Sequence, residues 1–247
     1  MADKSGSAAQ SDPSNRRGFI KSAAVVATAA LGCSLDGSLA YADALTREQR
    51  DKMTPEEIIA VMKTGNERFH SGEKATRNYL AEQKAAAEGQ YPAAVVLSCI
   101  DSRAPAEVIM DLGIGDIFNA RVAGNIANTD ILGSMEFACK VAGAKVVLVL
   151  GHTACGAIKG AIDNVELGNL TELLVKIRPA VKATTFQGER TSKNLSFVDA
   201  VARKNVALTV AHIREKSDVL RELESKNRVK IAGAMYNLKT AIIEFFA

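Results

Sequence analysis

The stretch Lys145-Val-Val-Leu-Val-Leu150 decides the fold class of this chain. Five consecutive apolar residues follow the lysine, without the alternation of apolar and polar side chains that marks a strand with one solvated face. A short apolar run of this kind is typical of a strand that is buried on both faces. Such strands are typical of a parallel sheet that lies between two layers of helices.

Four further segments have the same character, and helical patterns separate them. The predicted strands are 93–98, 116–122, 145–150 and 229–234, with 242–246 as an edge strand, and the predicted helices between them are 130–141, 157–165, 170–186 and 194–224. This alternation predicts an α/β fold with a mostly parallel central sheet of four strands, an edge strand, and helices on both faces. In such sheets, ligand groups gather at the carboxyl ends of the strands.

Two predicted helices precede the first strand. Thr54-Pro55-Glu56-Glu57 is a strong helix start, because it places an N-cap threonine before a proline and two acids. The second helix covers roughly 77–88. We therefore expect one domain over 43–247, with an N-terminal helical arm over 43–92 and an α/β core over 93–247.

The first 42 residues have the pattern of an export signal. Arg16-Arg17 precedes a mildly apolar stretch that runs to Gly32, and Ala40-Tyr41-Ala42 offers a small-x-small cleavage site. A paired arginine before such a stretch resembles a twin-arginine signal, which predicts removal of 1–42 and export, with the periplasm as destination. Lipid anchoring at Cys33 is the weaker alternative, and a disordered tail with a basic patch is another.

Composition excludes several classes of function. The net charge of +3 over 247 residues is nearly balanced, and the basic residues are scattered, so nothing predicts nucleic-acid binding. Beyond the signal, no apolar run is long enough for a stable membrane span. The four cysteines are too few for a disulfide scaffold of this length. Cys139 lies on the predicted helix 130–141 and is interpreted as a core residue.

Three metal-ligating side chains follow two of the predicted strands. Cys99 comes directly after the first strand, His152 follows the strand 145–150, and Cys155 lies three residues further on. Two thiolates and an imidazole suit Zn²⁺ and leave a fourth tetrahedral position open. Each residue alone would more often be a buried cysteine or a structural histidine. The predicted sheet brings all three to one edge, which favours a zinc site.

Asp101 and Arg103 add an acid and a base beside Cys99. They are able to form an ion pair next to the metal. An ordinary surface pair, which contributes about 0–1 kcal/mol, is the alternative.

Three segments together resemble the site segments of β-class carbonic anhydrases. They are Ser98-Cys99-Ile100-Asp101-Ser102-Arg103, Arg121-Val122-Ala123-Gly124-Asn125 and Gly151-His152-Thr153-Ala154-Cys155-Gly156. The resemblance implies Zn²⁺ on Cys99, His152 and Cys155, and a catalytic pair of Asp101 and Arg103. It implies reversible hydration of CO₂ to bicarbonate and a proton through a zinc-bound hydroxide, and Asp101 as a fourth ligand in a closed state only.

The resemblance also bears on residues around the ligands. Gly124 and Gly156 are expected where the backbone is tight, and Asn125 either orients site groups or forms a turn. Members with a bicarbonate inhibitory pocket carry a tryptophan where this chain has Val96. Arg121 and Tyr236 match two other positions of that pocket, so the chain carries part of the pocket pattern and lacks its tryptophan.

Alternatives to CO₂ hydration remain open at the level of sequence. A hydrolase of carbon disulfide or carbonyl sulfide would carry the same ligands, and a catalytically inactive zinc-binding structural protein is a second alternative. A thiol redox protein would need a metal-free Cys-x-x-Cys, which the sequence lacks. The family resemblance also implies a homodimer or a tetramer of dimers, with the N-terminal helices wrapped around the partner.

Overall fold

The computed structural model describes residues 45–246. The predicted export signal, its cleavage site and Cys33 lie outside the described residues. Among residues 45–246, no helix combines the length and the apolar character that a bilayer crossing requires.

Five strands form one sheet in the order β2-β1-β3-β4-β5. The strands are β1 (Ala94–Ser98), β2 (Ile117–Arg121), β3 (Val146–His152), β4 (Lys230–Tyr236) and β5 (Ile243–Phe246). The first four are parallel to one another, and β5 pairs antiparallel with β4 at the edge. The predicted fold class, a mostly parallel sheet of four strands plus an edge strand, is confirmed.

Ten α-helices surround this sheet in the described part of the chain. They are α1 (Arg47–Lys52), α2 (Pro55–Ser71), α3 (Tyr79–Ala85), α4 (Ala106–Ile109), α5 (Thr129–Glu136), α6 (Gly156–Ile162), α7 (Gly168–Val175), α8 (Arg178–Ala183), α9 (Leu195–Lys216) and α10 (Asp218–Ser225). The short helices α1 and α4 were not predicted from the sequence pattern.

The strand that decides the fold class lies at the centre of the sheet. All seven residues of β3 are buried, because β1 and β4 flank it and helices cover both faces. Val147 and Val149 belong to the core on the α9 side, whereas Val146 and Leu148 belong to the core on the α2 side. An uninterrupted apolar strand therefore serves two hydrophobic cores at once.

The N-terminal helix α2 buries its apolar stripe on its own sheet. Its start is the predicted one. The Thr54 hydroxyl accepts the Glu57 N–H, and the Thr54 N–H donates to the Glu57 carboxylate. Ile58 and Met62 are almost fully buried among residues of β1 and β3. The stripe is satisfied within the chain, so it no longer argues for a partner subunit.

Two long predicted helices are each broken in the structure. Segment 170–186 divides into α7 and α8, and Pro179 in the first turn of α8 has no N–H to continue a preceding helix. Segment 194–224 divides into α9 and α10 at Ser217, whose backbone is extended and whose hydroxyl accepts the Leu220 N–H. The prediction of single helices was wrong because helical propensity does not show where a local cap is more stable than another turn.

The predicted helix 130–141 ends in an unusual turn. After α5 the chain continues as one π-helical turn over Phe137–Val141, and Cys139 in this turn is buried in the core, as predicted. The predicted helix over 77–88 is present in shorter form, as α3.

Candidate metal centre

The parallel register brings the predicted ligands to one edge of the sheet. Ser98 at the end of β1 lies beside Leu150 of β3, so Cys99 emerges next to Gly151 and His152. After β3 the chain turns sharply, and Cys155 becomes the N-cap residue of α6. The ligand group, defined as Cys99, His152 and Cys155, therefore forms where the sequence predicted it.

The geometry of the ligand group fits a small tetrahedral ion. One ligand atom from each of the three residues lies within 4.8 Å of the others, and all three residues are buried. The sulfurs of Cys99 and Cys155 are 4.0 Å apart, and both cysteines are free. Two sulfurs bound to one tetrahedral zinc at about 2.3 Å lie roughly 3.8 Å apart, whereas a disulfide would place them about 2.05 Å apart.

His152 presents an unused nitrogen to this group. Its Nδ1 lies 2.9 Å from the Thr153 carbonyl oxygen, which only accepts, so Nδ1 carries the proton. Nε2 is then unprotonated and presents a lone pair. This atom is buried without a hydrogen-bond partner. A buried polar atom without a partner is costly unless a ligand satisfies it. The imidazole thus has the tautomer and the orientation of a metal ligand.

The two thiols interact strongly with each other. The hydrogen bond from Cys155 holds the pKa of Cys99 well below its usual range. The same hydrogen bond, together with burial, raises the pKa of Cys155. Burial lowers the pKa of His152, but the neighbouring Cys99 thiolate more than offsets this, and the net shift is upward. A lowered pKa at Cys99 favours its thiolate, which is the form of cysteine that binds a metal.

Asp101 and Arg103 form a two-pronged ion pair beside the ligand group. Asp101 Oδ1 accepts from Arg103 Nε at 3.0 Å, and Oδ2 accepts from Nη2 at 2.8 Å. These bonds hold the pKa of Asp101 well below its usual range. The side chain of Asp101 is 14% exposed, and its Oδ2 lies 3.8 Å from His152 Nε2. The carboxylate thus borders the ligand group while Arg103 holds both of its oxygens.

Comparison with known proteins agrees with this geometry. A family model described as carbonic anhydrase matches residues 94–243. Carbonic anhydrase 2 of Mycobacterium tuberculosis is 35% identical over 179 residues, which cover 72% of this chain and 86% of that protein. The chain belongs to the carbonic anhydrase family.

Solved structures place it in the β class. The β-carbonic anhydrase CafA of Aspergillus fumigatus superimposes with a TM-score of 0.58 at 26% identity, over 66% of this chain and 79% of that one. A tetrameric β-carbonic anhydrase of Sordaria macrospora shares the fold, with a TM-score of 0.57 at 24% identity, over 65% of this chain and 83% of that one.

In this carbonic anhydrase, Arg121 holds the loop that carries Cys99 and Asp101. Its Nε donates to the Cys99 carbonyl at 2.9 Å, and its Nη2 donates to the Asp101 carbonyl at 2.6 Å. Val96 is completely buried in the sheet, and Tyr236 is nearly so. Arg121 therefore holds the backbone of the ligand loop.

The expected tight backbone is present at Gly124 and absent at Gly156. Gly124 has φ of +69°, and a Cβ there would lie 2.5 Å from Ile177 Cδ1. Its N–H donates to Cys99 Sγ at 3.4 Å. A Cβ at Gly156 would meet nothing within 4 Å, so that expectation was wrong. Asn125 is buried in the same turn with φ of +42°, and its Nδ2 has no hydrogen-bond partner.

Two residues of α9 that the sequence pattern did not reveal contact the backbone near the ligand group. Asp199 accepts the N–H of Ala154, and Asn205 donates to the Gly124 carbonyl. The available signal was a polar side chain on a helix face that is otherwise apolar: Asn205 is almost fully buried among the valines of α9. The contacts themselves depend on the tertiary fold, which sequence does not reveal.

Proposed function

We propose that this chain catalyses the reversible hydration of CO₂ to bicarbonate and a proton at a zinc centre held by Cys99, His152 and Cys155. One observation carries the proposal: three buried soft or borderline donors converge within 4.8 Å, and Nε2 of His152 has no other partner. When bound, Zn²⁺ lowers the pKa of water so that hydroxide is available near neutral pH.

The protein contributes orientation through Asp101. Its carboxylate lies beside the ligand group and accepts only, so it takes the O–H of the attacking water or hydroxide as a hydrogen bond. This bond points the oxygen lone pair toward the carbon of CO₂. Arg103 keeps both carboxylate oxygens occupied and keeps Asp101 from becoming a fourth metal ligand.

A CO₂ hydration assay combined with metal analysis tests this proposal. The purified chain from Asp43 onward should carry about one zinc per chain, as the Cys-His-Cys group found among residues 45–246 requires. It should also accelerate CO₂ hydration. Turnover of carbon disulfide or carbonyl sulfide without CO₂ hydration would instead identify the hydrolase alternative. Zinc without turnover of any of the three substrates would identify a structural zinc protein.

We also propose that the protein assembles as a homodimer or as a tetramer of dimers. Large apolar side chains remain exposed in the single chain: Ile100, in the loop between Cys99 and Asp101, is 61% exposed, and Val141 is 71% exposed. A partner subunit would cover such side chains. Sedimentation that shows a stable monomer of residues 43–247 would contradict this assembly.

Export by the twin-arginine route is the proposal for residues 1–42. Arg16-Arg17 and the small-x-small site at Ala40-Tyr41-Ala42 support it. Replacing both arginines with lysine should retain the protein in the cytoplasm in an active form. Normal appearance of that double variant in the periplasm would contradict the assignment.

A further inference from the structure

His152 ends strand β3, but the two cysteines of the ligand group reside on loops that the sheet alone does not fix. Hydrogen bonds between β1 and β3 end at the pair of Ser98 and Leu150. Cys99 lies just beyond that pair, and Cys155 lies five residues beyond Leu150. The relative position of the two sulfurs therefore depends on contacts outside the strands.

Asp199 accepts a hydrogen bond from the loop that carries Cys155. Ala154, directly before Cys155, has φ of +54°, which is unfavourable for a residue with a Cβ. Its N–H donates to Asp199 Oδ1 at 2.7 Å. A charged acceptor forms a stronger hydrogen bond than a neutral one, so this contact offsets the strain that the sharp turn to Cys155 requires.

Asn205 acts on Cys99 indirectly, through Gly124 in the turn after β2. Asn205 Nδ2 donates to the Gly124 carbonyl at 2.8 Å, and the Gly124 N–H in turn donates to Cys99 Sγ. Asn205 is only 3% exposed, so water does not readily replace its side chain. The same peptide segment thus connects an α9 side chain to a metal-ligating sulfur.

Both side chains come from one helix that is tightly packed on β3. A Cβ at Gly151, the residue before His152, would lie 2.6 Å from Cγ2 of Val206 on α9. The glycine therefore permits α9 to approach the strand end from which the ligands emerge. Asp199 and Asn205 both precede Val206 on this helix.

We propose that Asp199 and Asn205 are positioning residues, through which α9 holds the two ligand loops at the separation that the metal needs. This inference rests on the proposed zinc centre. Neither residue touches substrate. Asp199 acts through the backbone of the loop that carries Cys155, and Asn205 acts through the turn at Gly124, whose N–H donates to Cys99 Sγ. Loss of either contact should weaken metal binding in a protein that still folds, because outer contacts of this kind typically contribute about 10–100-fold to metal affinity.

The test measures zinc affinity on the full mature chain by competition with a chromophoric chelator. Asp199→Ala should bind Zn²⁺ about 10–100-fold more weakly, and Asp199→Asn, which keeps an acceptor oxygen, should lose less. Glu215→Ala removes an exposed carboxylate from the same helix and should bind zinc as the wild type does. Circular dichroism and thermal unfolding of the zinc-free variants establish that they fold.

Two further measurements separate positioning from general destabilisation. In Asp199→Ala, the absorption bands of the Co²⁺-loaded protein should shift, because those bands report ligand geometry. Ala154→Gly removes the penalty of the left-handed backbone, so Asp199→Ala should cost less zinc affinity in that background. An equal loss in both backgrounds would contradict the role of Asp199 at Ala154.

Asn205→Ala should weaken zinc binding in the same direction, and if it fails to fold, the Asp199 variants decide. Wild-type protein that binds no zinc would refute the proposed function itself. Wild-type protein that binds zinc, alongside Asp199→Ala with the same affinity and the same cobalt spectrum, would refute only the positioning inference.

Discussion

Two groups of buried polar side chains in the described part of the chain differ in the charges that they contain. The charge network, defined as Arg68, Arg77, Glu82 and Asp111, joins α2 and α3 to the loop before β2. Asp111 Oδ2 accepts from Arg68 Nε at 2.6 Å and from the Ala75 N–H at 3.0 Å. The ligand group lies at the carboxyl edge of the sheet.

The charge network contains both acids and bases, whereas the ligand group consists of two thiols and an imidazole. Charges in the network neutralise one another, and Glu82 also accepts the Ile114 N–H at 2.9 Å. In the ligand group, the sulfurs interact mainly with each other, and His152 Nε2 has no partner. Buried acids and bases that lie beside one another indicate a structural role, whereas two thiols and an imidazole nitrogen that converge indicate a site for a cation.

Loss of a ligand should give the largest effect. Cys155→Ser and Cys99→Ser should lose zinc and activity almost completely, because structural zinc binding by such donors contributes about 10–16 kcal/mol in small zinc domains. Zinc content by elemental analysis and CO₂ hydration are the measurements. Cys139→Ala is the matched control: this thiol is buried in the core, where burial raises its pKa to about 12, and zinc should remain. Full zinc occupancy in both serine variants would refute the ligand assignment.

The charge network should give the opposite result. Asp111→Asn leaves Arg68 without its charged partner and Arg77 with Glu82 alone, and breaking a buried ion pair costs about 3–5 kcal/mol in the free energy of unfolding. Urea unfolding should show this loss, while zinc content per folded molecule stays unchanged. Asp163→Asn, an exposed site, should change stability by less than about 0.5 kcal/mol. Zinc loss in Asp111→Asn would mean that the two groups are coupled.

The ion pair of Asp101 and Arg103 should matter for rate and not for zinc content. Asp101→Asn is nearly isosteric but loses the charge that orients the attacking oxygen, so we expect activity to fall by about 10–1,000-fold with zinc retained. Arg103→Ala should behave similarly, and the two losses should be far from additive because both act through one carboxylate. Arg221→Ala breaks a surface pair and should leave the rate unchanged. Full activity in Asp101→Asn would reduce the pair to a structural contact.

A smaller effect should appear in the pH dependence of stability. Arg103 lowers the pKa of Asp101, so the stabilisation from this pair is fully present above the unfolded value of about 3.9 and is lost as pH falls below it. The zinc-free wild type should therefore lose more stability than Asp101→Asn between about pH 5 and about pH 3.5. Denaturant unfolding at several pH values measures this difference, and parallel curves would contradict it.

Local pattern predicted the frame of the protein. The apolar run from Val146 to Leu150 predicted a central parallel strand, and the capped start at Thr54 predicted α2, because both signals reside in neighbouring residues. The break at Ser217 was missed, since a serine within a helical pattern shows nothing of its own hydrogen bond to the Leu220 N–H.

The candidate site likewise has a part that local sequence pattern predicts and a part that depends on the tertiary fold. Cys99, His152 and Cys155 follow strand ends and could be found from spacing, whereas the contacts of Arg121 with the ligand loop depend on how β2 lies beside β1. The contact of Asp199 with Ala154 could not be predicted either, because only the packing of α9 brings the two residues together. Residues that serve a site through distant backbone carry no motif.

The chain order of the sheet has a consequence for synthesis. Val146 pairs with Ala94 on one side and with Lys230 on the other, so β4 joins β3 only after α9 and α10 have been made. At about 5–20 residues per second, the ribosome adds Cys99 and Cys155 several seconds before it has added α9 and β4. For that interval the nascent chain holds two cysteines that the finished fold places 4.0 Å apart. Translation in a reducing compartment, with zinc at hand, keeps those sulfurs available for metal rather than for each other.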